Sequence, residues 1–174
     1  IRFETPKGAF VVEVYPDRAP LTAGNFLRYV DEKRLEGAHF YRKIAFAGMP
    51  DVGLLQGGLN GTGKRMLPPV AHESTRQTGL THKDGAVSLA REGPGSATCE
   101  FFICLGNMSN GLDADPSQPG DNAGYAVFGQ VVEGMEVVKA LHKAPVSPTK
   151  GAEFGMAGQM LDPTIPIPSV ARAV

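Results

Sequence analysis

The 174-residue chain has little of what several classes of protein require. It holds two cysteines, Cys99 and Cys104, and neither their number nor their spacing suits a zinc site or a disulfide framework, so both read as free packing thiols. The four histidines, His39, His72, His82 and His142, lack metal-ligand spacing. Asp113, Asp115 and Asp121 invite a calcium reading, but the glycine falls at the wrong offset for an EF-hand loop and no glutamate closes it. No metal is expected. Ser88 and Ser96 sit in no nucleophile motif and Cys99 has no evident base, which leaves hydrolase chemistry without support. A formal net charge of -1, with no cluster of Lys or Arg, removes the long-range attraction that nucleic acid or an anionic membrane would need. No apolar run approaches the roughly 20 residues that span a bilayer, so membrane insertion is not expected either. The start at Ile1-Arg2-Phe3-Glu4, without a signal-peptide core or an initiator Met, reads as a trimmed chain and favours the periplasm, with the cytoplasm as the alternative.

What the chain does have is glycine, 22 residues, and proline, 14, in a composition otherwise ordinary for a folded protein. That combination means many ordered turns, and the length fits one domain spanning 1–174. Ile1 to Glu4 and Ala9 to Val14 flank the turn Thr5-Pro6-Lys7-Gly8 as an opening hairpin. Ala23, Phe26, Leu27 and Val30 have helical spacing, with Thr22 placed to cap them. Phe40-Tyr41-Arg42 and Leu54 to Gly58 read as strands, and Lys43 to Gly53 and Asn60 to Glu73 as exposed loops. The stretch Gly85 to Cys104 begins and ends in strand-like runs, Ala86 to Ala90 and Phe101 to Cys104, around a loop punctuated by glycine and proline. Phe101 and Phe102 must face opposite ways on a strand, and Phe101 is the expected core residue. A polar loop over Gly106 to Gly124 precedes a strand, Tyr125 to Val132, and a second helix with Met135, Val138 and Leu141 on one face. The proline-rich tail from Ala144 to Pro168 is expected to wander over the surface before Ser169 to Val174 closes the sheet.

The ordered segments Phe40-Tyr41-Arg42, Gln56-Gly57-Gly58, Gly85 to Arg91, Glu100-Phe101-Phe102-Ile103, Leu112-Asp113, Gly124 to Gly129 and Glu133-Gly134-Met135, with the opening hairpin and the helix containing Asn25-Phe26, resemble the cyclophilin family of peptidyl-prolyl cis/trans isomerases, in its bacterial branch. The resemblance implies a mainly β fold, a closed eight-stranded antiparallel β-barrel capped by two helices, with a substrate groove on its outside. It also implies a monomer that binds proline-containing peptides or unfolded proteins.

The chemistry asks for little. Rotation about a peptide bond meets a barrier of ~18–20 kcal/mol, while the two X-Pro isomers differ by only about 1 kcal/mol. A site that binds the twisted amide better than either planar form accelerates exchange with no nucleophile, metal or cofactor. By resemblance Arg42 is the catalytic guanidinium and Gln56 holds it and the substrate backbone, with Gly57 and Gly58 giving the peptide room. Leu54, Phe102 and Leu112 form the proline pocket. Ala90 and Arg91 line the wall for residues preceding proline, and Tyr125 donates to a substrate carbonyl. Glu100 stands where glutamine is usual and is placed to pair with Arg91 or Arg42. The spacing from Arg42 to Gln56 is longer than the family's, and Val52 or Gly53 stands where a pocket phenylalanine is normal. Gly111 replaces an aromatic residue beside Leu112, which predicts weak cyclosporin binding, and the loops Asp113 to Gly124 and Lys143 to Pro163 are long. The competing reading is a prolyl-peptide-binding module or chaperone with a remodelled, weakly active pocket.

Overall fold

Alternating apolar residues at the start of the chain build a hairpin of β1 (Arg2–Thr5) and β2 (Gly8–Val14), with Phe3 opposite Phe10. Their rings stack 4.7 Å apart, 8° from parallel. A computed structural model describes residues 1–61 and 65–174; residues 62–64, inside the loop expected over Asn60 to Glu73, lie outside the described residues. The chain continues through β3 (His39–Phe46), β4 (Met49–Gly58), β5 (Ala86–Leu89), β6 (Phe101–Leu105), β7 (Ala126–Glu133), β8 (Met160–Pro166) and β9 (Ser169–Ala171). All nine join one antiparallel sheet in the order β8-β3-β4-β6-β5-β7-β2-β1-β9.

This corrects the expected closed, eight-stranded barrel: the described strands number nine, and the edge strands β8 and β9 share no hydrogen-bonded ladder. Proline supplies the reason. Pro166 and Pro168 have no N–H to give to a ladder, so the tail is split into two short strands. One pairs with β3 and the other with β1, and Ile167 between them donates its N–H to Ala38 O at 2.9 Å and buries its side chain. A single chain segment thus supplies both edge strands, covering β3 with one and β1 with the other. The tail runs over the surface in turns, as its prolines suggested, only as far as Gln159.

Lys43 to Gly53 is likewise not a loop. β3 and β4 run on as a hairpin in which Ile44 pairs with Leu54 and Phe46 with Met49, turning at Ala47-Gly48. Pro50 is tolerated there because β4 gains its second neighbour, β6, only from Gly53 onward.

Among the described residues four α-helices accompany the sheet: α1 (Pro20–Asp31), α2 (Thr75–Thr78), α3 (Ser109–Leu112) and α4 (Met135–His142). Periodicity shows only the first and last, since one turn is too short to carry it. Thr22 is not the cap of α1. It lies inside the first turn, and Glu73, distant in sequence, accepts from the N–H groups of Leu21 (3.2 Å) and Thr22 (2.7 Å) and from the Thr22 hydroxyl (2.6 Å). At the far end of α4, Lys43 Nζ donates to the carbonyls of His142 (2.8 Å) and Ala144 (2.7 Å).

One face of the sheet, with Phe26 of α1, buries Phe3, Phe10, Phe40, Leu55, Phe101 and Phe128. The other face carries a smaller cluster of Leu54, Ala86, Phe102, Cys104 and Val127. Phe101 and Phe102 divide between the two as expected, and both cysteines are free and buried.

Candidate functional site

The second face is where the chemistry collects, and pairing register puts it there. Cross-strand neighbours in an antiparallel sheet project from the same side, their Cβ atoms about 4.5–5.5 Å apart. Arg42 pairs with Gln56, Gln56 with Phe102, Phe102 with Ser88, and Ser88 with Val127. The four pairings lay a guanidinium, an amide and a phenyl ring side by side. Simple alternation would put Arg42 on the same face as the core residue Phe40. A β-bulge intervenes: between Phe40 and Arg42 the register shifts against both β4 and β8, and Tyr41 is the extra residue. Tyr41 and Arg42 therefore both reach the outer face.

The resulting groove has a volume of about 840 Å³ and is lined by all nine residues that the sequence singled out: Arg42, Gln56, Leu54, Ala90, Arg91, Glu100, Phe102, Leu112 and Tyr125. Its apolar slot is made by Phe102, Leu54 and Leu112, with Tyr125 meeting Phe102 edge-on at 5.5 Å. Neither Val52 nor Gly53 supplies a wall. Any Cβ on Gly53 would stand 2.0 Å from Ile44 O, and the side chain that fills out the slot is Ile44 itself, opposite Leu54.

Arg42 is held at three of its five N–H groups. Nη1 donates to Gln56 Oε1 at 3.0 Å, while Nε and Nη2 donate to Gln159 Oε1 at 2.9 and 2.7 Å. One N–H on each terminal nitrogen is left. Burial lowers the guanidinium pKa, opposed by Tyr41 and Tyr125, but an arginine starts high enough to stay charged.

Glu100 does not pair with Arg91 or Arg42. It accepts from the Tyr41 hydroxyl, from Asn60 N at 2.9 Å and from Cys99 Sγ at 3.4 Å. Burial first, and then the Glu100 charge, drive the Tyr41 phenol far above its ordinary pKa, so it remains a donor. The same contacts correct the role expected of the two glycines. A Cβ on Gly58 would lie 2.4 Å from Glu100 Oε2 and one on Gly57 2.8 Å from the Phe40 ring, so the space belongs to the protein's own side chains and not to a peptide.

Arg91 braces the wall. Its side chain is 6% exposed, with Nε donating to Gly124 O at 2.8 Å, both terminal nitrogens on Asp121 at 2.9 and 3.0 Å, and the guanidinium 5.0 Å from the Tyr125 ring centre. Behind Phe102 lies His82, fully buried, its ring stacked at 5.8 Å and 12°. His82 bonds Asp113 at 2.6 Å and Ser88 at 3.0 Å. With Asp113 and Asp121 thus engaged, no group of His, Cys, Asp or Glu among the described residues could hold a metal ion. Nor is any described helix long and apolar enough to cross a membrane.

Sequence reasoning missed Tyr41, Ile44, His82 and Gln159. Tyr41 was hidden by the bulge, Ile44 by the reading of its segment as a loop, and Gln159 by its place in the tail. The one-turn helix α2, by contrast, had a legible signal in Ser74 and Gln77, which form a reciprocal capping box.

An outer-face groove on an antiparallel sheet, pairing an apolar slot with a clamped guanidinium, has the chemistry of a class of site suited to an extended peptide. The family described as cyclophilin type peptidyl-prolyl cis-trans isomerase/CLD matches residues 1–159. A peptidyl-prolyl cis-trans isomerase of Acinetobacter baylyi is 34% identical over 151 residues, covering 84% of this chain and 73% of that protein. One from Streptomyces antibioticus is 32% identical over 154 residues, 87% of each. Peptidyl-prolyl cis-trans isomerase B of Escherichia coli is 31% identical over 166 residues, 93% of this chain and 90% of that one. Among solved structures, a Cryptosporidium parvum cyclophilin-type peptidyl-prolyl cis-trans isomerase in the presence of the dipeptide Ala-Pro has a TM-score of 0.71 at 21% identity, covering 99% of this chain and 98% of its own, and shares the fold. The chain belongs to the cyclophilin-type peptidyl-prolyl cis-trans isomerase family.

Proposed function

We propose that this chain, acting as a single-domain monomer, accelerates X-Pro isomerisation in unfolded or flexible proteins by non-covalent stabilisation of the twisted amide. Phe102, Leu54 and Leu112 take the prolyl ring, whose burial contributes on the order of 1–3 kcal/mol. That term is common to both planar forms and the transition state, so it gives affinity and not rate. The differential term comes from Arg42. As the amide twists, the nitrogen lone pair localises, and an N–H of the guanidinium donates to it where no such acceptor existed in the planar amide. The Cryptosporidium relative solved with Ala-Pro supports a prolyl dipeptide as the minimal unit recognised. Gln56 and Tyr125 offer polar groups to the substrate backbone on either side of the slot.

The observation that carries this reading is the placement of Arg42 in one cross-strand row with Gln56 and Phe102, its two remaining N–H groups uncommitted among the described residues. The features that separate this reading from a weakly active binding module are the long spacing before Gln56 together with Glu100, and the Glu100 carboxylate is engaged by Tyr41 and Asn60 and not by Arg42. A protease-coupled assay on an Ala-Pro tetrapeptide tests the proposal. The wild type should accelerate exchange, and Arg42→Ala should lower kcat/KM by about 10²–10³-fold, the size of effect seen when a donor to developing charge is removed. An inactive wild type, or an unimpaired Arg42→Ala, would reject it.

A further inference from the structure

Three N–H groups of Arg42 are spent inside the protein, and Gln159 takes two of them through a single oxygen. Gln159 lies far from Arg42 in sequence, after the 3-10 turn Ala152–Phe154 and immediately before β8. Its backbone is secured independently of its side chain: Gln159 O accepts from Lys43 N at 2.9 Å, and Gln159 N donates to Met156 O at 3.0 Å. The next residue, Met160, pairs with Arg42 across the β3 and β8 ladder. The tail is thereby locked against the strand that carries the guanidinium.

The geometry of the contact matters more than its strength. Nε–H and one Nη2–H form one edge of the planar guanidinium, and an oxygen between them fixes that edge. Gln56 fixes a point on the other terminal nitrogen. Two anchors define the plane; one would leave the rigid, delocalised group free to swing about the Cδ–Nε bond and the last methylene torsion. The anchors also choose which hydrogens stay free, one on each terminal nitrogen. Because both acceptors are neutral amides, the guanidinium is oriented without being neutralised, as a carboxylate in either place would do.

We propose that Gln159 is a positioning residue for the isomerase reaction, clamping Arg42 so that its two free N–H groups face the twisted prolyl nitrogen. This rests on the function proposed above, and the test separates the two. Gln159→Ala and Gln159→Met, the latter of similar length without the amide oxygen, are compared with wild type, Arg42→Ala and the double variant Arg42→Ala/Gln159→Met, on the same Ala-Pro tetrapeptide. In Gln159→Met, kcat should fall about tenfold while KM stays within about twofold, the signature of an interaction used in the transition state. On the Arg42→Ala background the same substitution should cost nothing further. By NMR, the Arg42 Nε–H resonance should be protected from exchange in wild type and shifted and exposed in Gln159→Met. Where Gln159→Ala does not fold, Gln159→Met carries the measurement, since its backbone bonds are untouched. The proposal is overturned if wild type is active and Gln159→Met keeps its kcat, or if the loss persists in full without Arg42. An inactive wild type would sink the isomerase reading instead, and the clamp would then stand or fall on the Arg42 Nε–H resonance, whose retention in Gln159→Met overturns it.

Discussion

Glu100 places a carboxylate in the same groove as Arg42 without forming an ion pair, and the residues between them explain how. Arg42 donates to Gln56, Gln56 Nε2 donates to the Tyr41 hydroxyl at 2.9 Å, and Tyr41 donates to Glu100. All three bonds point the same way, so each polarises the next, with the positive end at Arg42 and the negative end withdrawn. His82 is the residue whose protonation the site resists. Burial lowers its pKa, outweighing the opposing pull of Asp113. A base with a depressed folded pKa contributes stability that is present above its ordinary value near 6.5 and is lost as pH falls below it, because the unfolded chain then binds the proton more readily. Stability should therefore decline between pH 7.5 and 5, and His82→Gln should flatten part of that decline. His142, also buried and lowered, supplies another part. Urea midpoints at the two pH values check this; equal pH slopes in wild type and His82→Gln would count against it.

At the level of elements, the bulge in β3 decides the site. Without the extra residue, Tyr41 and Arg42 would project from opposite faces, and one of the two would enter the phenylalanine core. The same strand couples to α4 through Lys43 and through His142 Nε2 on Ile44 O at 2.8 Å, so the wall of the groove is anchored to a helix at its back. The start of α1 depends on a comparable long-range contact. Its first N–H groups have no intrahelical acceptors, and Glu73 serves two of them and the buried Thr22 hydroxyl. Glu73→Ala should destabilise the protein by about 1–3 kcal/mol, combining a lost cap with an unpaired buried hydroxyl. Chemical denaturation measures it, and a change within experimental error would show that water replaces the carboxylate at no cost.

Over the whole molecule, the last 15 residues, 160–174, bind the two edges of the sheet. β8 covers β3, the strand of Arg42, and β9 covers β1, while Leu161 in β8 and Ile167 between the two strands are essentially fully buried. Burying two such side chains contributes about 3–6 kcal/mol, a large share of the roughly 5–15 kcal/mol by which a domain is stable. A chain ending at Gln159 should lose cooperative thermal unfolding and aggregate on size exclusion, since two bare strand edges would be exposed. A monomeric truncation product with a wild-type melt would refute this account. How much of this was legible follows from the range of each interaction. The hairpin, the two longer helices, the central strands and the division of Phe101 from Phe102 all follow from periodicities of 2 and 3.6, which neighbouring residues carry by themselves. The nine groove residues were found as well, because their segments keep the order of a known family. What the linear chain hides is register and distance. Nothing local marks Tyr41 as a bulge, Glu73 as a helix cap, or Gln159 as a partner of Arg42, since each depends on a hydrogen bond to a residue remote in sequence; Lys43 to Gly53 is a hairpin of close neighbours whose pairing is masked by Gly48, Pro50 and Gly53. The sequence by itself determined a mainly β protein with an arginine beside an apolar slot; only the tertiary structure decided what holds that arginine still, because its orientation is set by acceptors that folding alone brings within reach.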